Sequence, residues 1–236
     1  MRYERGWVAR MTAPALRHLI HRIRLAGYRR ATPQAVMTGD PFRQIWVDPE
    51  AITTSLPDGA LTSGTTRAPL RRGRFCRWRA IGLIEGGDWP LSAARYTPRQ
   101  MLLYQALHQR YHGLCDWPET EFFASVRDRV AQGLRPWNGC RRLEDIHKRC
   151  RRADRLIASL KAEGFRESSD PVAICIGPEG QLIKSGSGQH RIMLGLIMGV
   201  QIPVLPIVRH RLWEDIRIGS SPARAELRAH PDLTGL

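Results

Sequence analysis

The chain has 236 residues, of which 42% are apolar, 25% charged and 7% aromatic. That composition excludes disorder, collagen and coiled coil as whole-chain descriptions, and the length sustains one or two domains with a core. Lys and Arg number 37 against 22 acids, a formal charge of +15, and 34 of the 37 are Arg; guanidinium favours polyanionic partners, whether nucleotide, nucleic acid or anionic lipid.

The segment 1–35 reads as a basic amphipathic helix. Residues 1–30 carry eight Arg and a single acid, Glu4. Leu16, Leu19, Ile20 and Ile23 share one helical face, with Arg17, His18, His21, Arg22 and Arg24 around it. Two readings are open: a surface helix drawn to acidic lipid or nucleic acid, or a cationic helix packed on the domain by its Leu/Ile stripe. A transit peptide fits less well, because the first Ser is Ser55. No compact apolar stretch follows the N-terminus. The most apolar run, Ile192–Val208, contains Gln201, Pro203 and Pro206, so neither a secretory signal nor a membrane span is expected. Cys76, Cys115, Cys140, Cys150 and Cys175 form no CxxC pair and read as reduced thiols of a cytoplasmic protein.

Residues 36–140 read as a Trp-containing α/β region packed on the core. Gln44–Val47 predicts a short strand ended by Asp48-Pro49. Leu61–Arg74 predicts an exposed loop. Trp78–Ile84 predicts a strand closed by Gly86-Gly87-Asp88-Trp89-Pro90. Pro98–His112 predicts a helix with Pro98 early in it. Pro118–Gln132 predicts a second helix, with Asp116 placed to cap it, Gly133 at its end, and Phe122, Phe123, Val126 and Val130 on its buried side.

Residues 141–217 carry the clearest signals. Leu143, Ile146, Cys150, Ala153, Ile157 and Leu160 repeat every three or four residues, predicting a helix over Leu143–Glu163 stopped by Gly164. Val172, Ile174 and Ile176 alternate with Ala173 and Cys175 as in a strand. Pro178-Glu179-Gly180 makes a hairpin turn and Gln181–Lys184 the return. A glycine-bearing turn follows, then a helix to about Met198, Gly199 as its stop, and a last strand at Ile202–Val208. Residues 218–236 remain as a C-terminal tail.

The turn holds Gly186, Ser187, Gly188, Gln189, His190 and Arg191 between a strand and a helix. A helix start leaves outward N–H groups without intrahelical partners, with the positive end of the dipole behind them. The glycines admit close approach to the backbone, and His190 and Arg191 add two side chains able to carry positive charge. This arrangement suits a phosphate chain. It equally suits a tight turn whose Arg191 pairs with a carboxylate. Arg209-His210-Arg211 after the last strand reads either as an extension of that site or as a solvated basic strand end. Phosphoryl chemistry asks for Mg²⁺ and a base; the carboxylates on offer are Asp48, Asp88, Glu144, Asp145 and Asp154. Asp88, in its Gly-Gly-Asp-Trp turn, is favoured as a catalytic residue beside His190. Asp154 lies among Arg151, Arg152 and Arg155 and reads as an ion-pair partner. His108 and His112 have metal-ligand spacing, but no Glu follows His108 and no metal site is expected.

The order of helix, Gly164, strand, turn, strand, Ser187-Gly188-Gln189-His190-Arg191, helix and Pro203-containing strand resembles the ParB/sulfiredoxin superfamily over residues 143–217. The stretch Leu156 to Gly164 is similar to that family's Leu-x-x-Ser-Leu-x-x-x-Gly pattern, and Ser187–Arg191 to its Gly-x-His-Arg box. The resemblance implies a compact α/β (α+β) fold, a small mixed sheet with helices, preceded here by a mainly helical extension. It implies ATP, ADP or CTP bound at the box. Gly188, His190 and Arg191 would contact phosphates, and Ser187 and Gln189 would offer backbone N–H groups. Gln189 stands where sulfiredoxins place a catalytic Cys, which argues against sulfinic acid reduction. Only 19 residues follow Arg217, which sets the expectation that no helix-turn-helix DNA reader follows. The expected function is a nucleotide-dependent kinase or NTPase acting on a small-molecule acceptor. The alternative is a basic nucleic-acid-binding module on the same scaffold. An anionic membrane surface, through residues 1–30, and a homodimer are further expected partners.

Overall fold

The computed structural model describes residues 14–55, 80–89, 95–168, 171–185, 188–219 and 224–234. The Leu61–Arg74 loop, Cys76, Trp78, Pro90, Gly186 and Ser187 lie outside these residues. Among the described residues the fold is mixed α/β, with seven helices and one six-stranded mixed sheet. The chain groups into two compact units that interleave in sequence: a sheet unit of residues 1–96, 167–188 and 203–236, and a helical unit of residues 97–166 and 189–202.

The sheet unit is built around β6 (Ile202–His210), every residue of which is buried. Its run of branched and apolar residues matches a strand covered on both faces. β4 (Val172–Ile176) runs parallel to β6 and antiparallel to β5 (Leu182–Lys184). β2 (Thr54–Ser55) adds parallel to β5, and β3 (Leu83–Glu85) parallel to the end of β6. β1 (Ile45–Val47) also pairs with β6. Pro206 has no N–H to give the ladder, and the register shifts right after its pairing with Ile174; a bulge there absorbs the proline. Ala80, Ile81, Ala173, Cys175, Ile183, Leu205 and Ile207 form the core, with Phe42 and Trp89 against it.

α1 (Pro14–Ala31) covers part of this unit, but not by the expected stripe. His21 and Leu25 are the buried side, while Leu19, Ile20 and Ile23 are each more than half exposed. His21 Nε2 lies 2.7 Å from the Ile81 carbonyl, and Leu25 packs with Val36 and Leu83. The Leu/Ile face therefore looks outward. The hydrogen bond that His21 makes, together with the packing of Leu25, decides the helix rotation.

The helical unit holds α2 (Leu102–His112), α3 (Glu121–Ala131), α4 (Pro136–Gly139), α5 (Leu143–Glu163) and α6 (Gln189–Met198). The expected Pro98–His112 helix is broken at Met101, which is extended between a 3-10 turn at Pro98–Gln100 and α2. The expected Pro118 helix likewise splits. Trp117–Glu119 is a 3-10 turn, and Thr120 Oγ1 then accepts from Phe123 N at 3.1 Å to start α3. Thr120 is the better cap because its hydroxyl satisfies an orphan donor of the longer helix. α4 is a single turn in which Trp137 and Asn138 have positive φ. α5 follows the expected period; Leu143, at the first residue of the helix, is exposed. β3 is shorter than expected, because Ala80 is helical and Ile81-Gly82 turn before it, and β6 runs two residues beyond Val208.

Candidate functional site

β5 ends at Lys184, and α6 begins at Gln189. Gly188 has φ +85, and a Cβ there would lie 2.8 Å from Val172 Cγ1 and 2.9 Å from Cγ2. Only glycine serves this position, for its backbone angle and for its approach to β4. α6 opens directly after it, with no acid in its first turn. Its first amides lack intrahelical acceptors, and no carboxylate of that turn offsets the dipole.

Gln189, His190 and Arg191 stand on the first turn of α6, each partly exposed. The Gln189 amide lies 3.2 Å from Met101 Sδ. The indole N–H of Trp137 donates to His190 Nε2 at 3.4 Å. The two rings are stacked, with centroids 6.1 Å apart. Nε2 is thus the acceptor, and Nδ1 carries the ring proton. Burial, and then the nearby Arg149 guanidinium, push the His190 pKa down to about 4. The imidazole is neutral at pH 7, so the expected pair of cations reduces to Arg191. No sequence pattern links Trp137 to His190, since 53 positions separate them.

Asp88 belongs to the sheet unit and is exposed. Its neighbours are fixed: the Gly87 carbonyl meets His210 Nε2 at 2.9 Å, and the Trp89 ring meets the His210 ring edge-on. Three of the other carboxylates have structural partners. Asp48 Oδ1 accepts from Glu50 N at 2.9 Å. Asp145 accepts from the backbone N–H groups of Arg141 and Arg142, the first of which is the largest cause lowering its pKa. Asp154 is an ion-pair partner as expected, but through Arg110 at 3.3 Å and the Trp117 indole at 2.8 Å rather than through its sequence neighbours. Glu144 is exposed at the start of α5.

Arg209-His210-Arg211 matches neither expectation. Arg209 and His210 are buried. Arg209 Nε donates to Asp232 Oδ2 at 2.7 Å and its Nη2 to Oδ1 of the same carboxylate. The Trp213 indole donates to Asp232 Oδ2 at 2.9 Å. Arg211 donates to the Gln34 carbonyl. Trp213 lies on α7 (Arg211–Arg217), where Arg217 pairs with Glu214. Beyond α7, His230 Nε2 reaches the Gly180 carbonyl at 2.9 Å, and Asp232 is fully buried. This basic run therefore pins the C-terminal segment to the sheet.

Cys140, Cys150 and Cys175 are buried, and burial pushes the Cys150 and Cys175 thiols up to about 12; they are not poised nucleophiles. The rings of His108 and His112 lie with centroids 4.5 Å apart, and no group of three or more metal-ligating side chains occurs among the described residues. No described helix is long and apolar enough to cross a membrane. No family model matches the chain, and neither a curated protein nor a solved structure matches it.

Proposed function

We propose that the chain binds a nucleoside di- or triphosphate, ATP, ADP or CTP, with its phosphates at the start of α6, and acts as a ParB/sulfiredoxin-like phosphotransferase or NTPase. Gly188 carries this reading. It stands, with a positive φ, directly before an acid-free helix start, whose first amides have no intrahelical acceptor and suit an anion. Arg191 supplies a guanidinium fork for phosphate oxygens. His190, with a pKa near 4, is a weak proton acceptor and acts as a neutral donor through Nδ1–H. Gly186 and Ser187 enter on sequence grounds. Mg²⁺ would ride on the phosphates and keep most of its waters. Asp88 remains the candidate base, on the strength of its sequence setting and exposure.

A thermal-shift panel of ATP, ADP, CTP and GTP, with and without Mg²⁺, tests the reading. A nucleotide at a hundred times its Kd adds about 2.7 kcal/mol to stability. At least one nucleotide is expected to raise the melting temperature of the parent, and Arg191→Ala is expected to lose most of that shift. No shift with any of the four overturns the proposal.

A second reading, a nucleic-acid-binding module, is supported by α5. Lys148, Arg151, Arg152 and Arg155 lie on the side of α5 away from the buried Ile146, Cys150, Ala153 and Ile157, and Arg151, Arg152 and Arg155 reach solvent. Removing one cation that neutralises a phosphate should flatten the salt dependence of duplex binding by about 0.9 in log–log slope. An unchanged slope in Arg151→Gln/Arg155→Gln would count against it.

A further inference from the structure

The outward face of α1 is the feature of the described residues that nucleotide binding leaves unexplained. Leu19 and Ile20 are 54% exposed and Ile23 65%. On a helix these three fall within about 100° of arc, with Arg30 inside the arc and Arg22 and Arg24 on either side of it. The opposite side is taken by His21 and Leu25. From Arg5 to Gly39 the chain has seven Arg and no acid. Arg22 pairs with Asp40 at 3.0 Å, but both side chains of that pair are more than half exposed, so the pair is easily exchanged for another anion.

We propose that α1 lies flat on an anionic lipid surface, with Leu19, Ile20 and Ile23 in the headgroup layer and the flanking Arg side chains reaching lipid phosphates. Aliphatic side chains in the middle of a cationic border match that environment: the aliphatic groups bury in the interface, and long Arg stems reach back to charge. Anionic lipid adds attraction for each Arg near the surface. Nucleic acid fits this face less well, because three aliphatic side chains gain nothing from a phosphate backbone. A second copy of the chain would set two Arg-bordered, acid-free faces against each other. The helix has 18 residues and fails as a membrane span, so it rests on the surface and does not cross it.

Co-sedimentation of the full chain with vesicles tests this, using phosphatidylcholine alone and phosphatidylcholine with roughly a third phosphatidylglycerol. The protein is expected to sediment with the anionic vesicles at least about tenfold more strongly than with the neutral ones. Ile23→Asp and, separately, Leu19→Asp are expected to cut anionic partition about tenfold or more, with unchanged thermal melting because both side chains are exposed. Arg30→Gln is expected to lower partition severalfold, and raised salt to weaken it. Equal partition of Ile23→Asp and the parent overturns the proposal, as does absence of binding to anionic vesicles. A concentration-dependent dimer lost in Ile23→Asp, without vesicle binding, overturns it in favour of a second copy. Duplex DNA binding untouched by Ile23→Asp, without vesicle binding, overturns it in favour of nucleic acid.

Discussion

Two short basic runs, His190-Arg191 and Arg209-His210-Arg211, look alike in sequence and differ in structure. The second lies at the end of a strand buried along its length. Its Arg209 forms a two-pronged pair with Asp232, and that carboxylate also takes the Trp213 indole. The buried guanidinium there is answered from within the chain, and the effect is to lock the C-terminal segment in place. The first run opens a helix after a glycine no other residue can replace. Its histidine is neutral, and its backbone amides point away from the helix. A basic run is thus a cross-link where the fold supplies a buried acid, whatever its likeness in sequence to a run at a helix start.

Removing the acid is the severest way to break this contrast. Asp232→Ala leaves Arg209 buried without its counter-charge and Trp213 without an acceptor. A loss of about 3–5 kcal/mol is expected in urea denaturation. A loss under about 1 kcal/mol would mean that the C-terminal segment is not a structural clamp.

The next effect concerns the proton on His190. Its folded pKa of about 4 lies below the ordinary 6.5. Between those values the unfolded chain takes up a proton that the folded chain refuses. Its contribution to stability is therefore full above pH 6.5 and declines as pH falls from 6.5 through 4, by up to roughly 3 kcal/mol. His230, also lowered by burial, acts in the same direction. Denaturation midpoints measured from pH 7 to 4 should fall steeply in the parent and less in His190→Gln. Identical slopes would show that the imidazole titrates normally.

Gly188→Ala sharpens the comparison on the side of the turn. The positive φ and the close approach to Val172 should together cost about 2 kcal/mol. Val172→Ala in the same chain should recover only the steric part. Full recovery would mean that the backbone angle adds nothing. The smallest effect is expected at an exposed pair, Arg127 with Asp128: Asp128→Ala should change stability by less than about 0.5 kcal/mol.

Regular local patterns are readable from the residues. The repeat of Ile146, Cys150, Ala153, Ile157 and Leu160 predicts α5, and the alternation from Val172 to Ile176 predicts β4. The first depends on a single buried face, which periodicity reports directly; the second is a short branched run that suits a strand buried on both sides. The rotation of α1 is not readable, because it turns on a hydrogen bond between His21 and Ile81, 60 positions away. The burial of Arg209 is hidden for the same reason: its acid lies 23 residues on, beyond a helix. The break at Met101 and the two-part start of α3 come from caps competing over three or four residues, where propensity decides little. At the candidate site, the glycine and the helix start are visible in the residues, whereas the neutral state of His190 depends on burial and on its three-dimensional neighbours. The interleaving of the two units cannot appear in any linear division of the chain.

Isothermal titration of ATP and CTP, with Mg²⁺, into the parent and into Arg191→Ala tests the proposed phosphate site most directly. Saturable one-to-one binding to the parent and at least about a tenfold loss in the variant are expected, with both proteins melting at similar temperatures. Equal affinity in the two proteins, or heat that never saturates in the parent, contradicts a phosphate site at the start of α6.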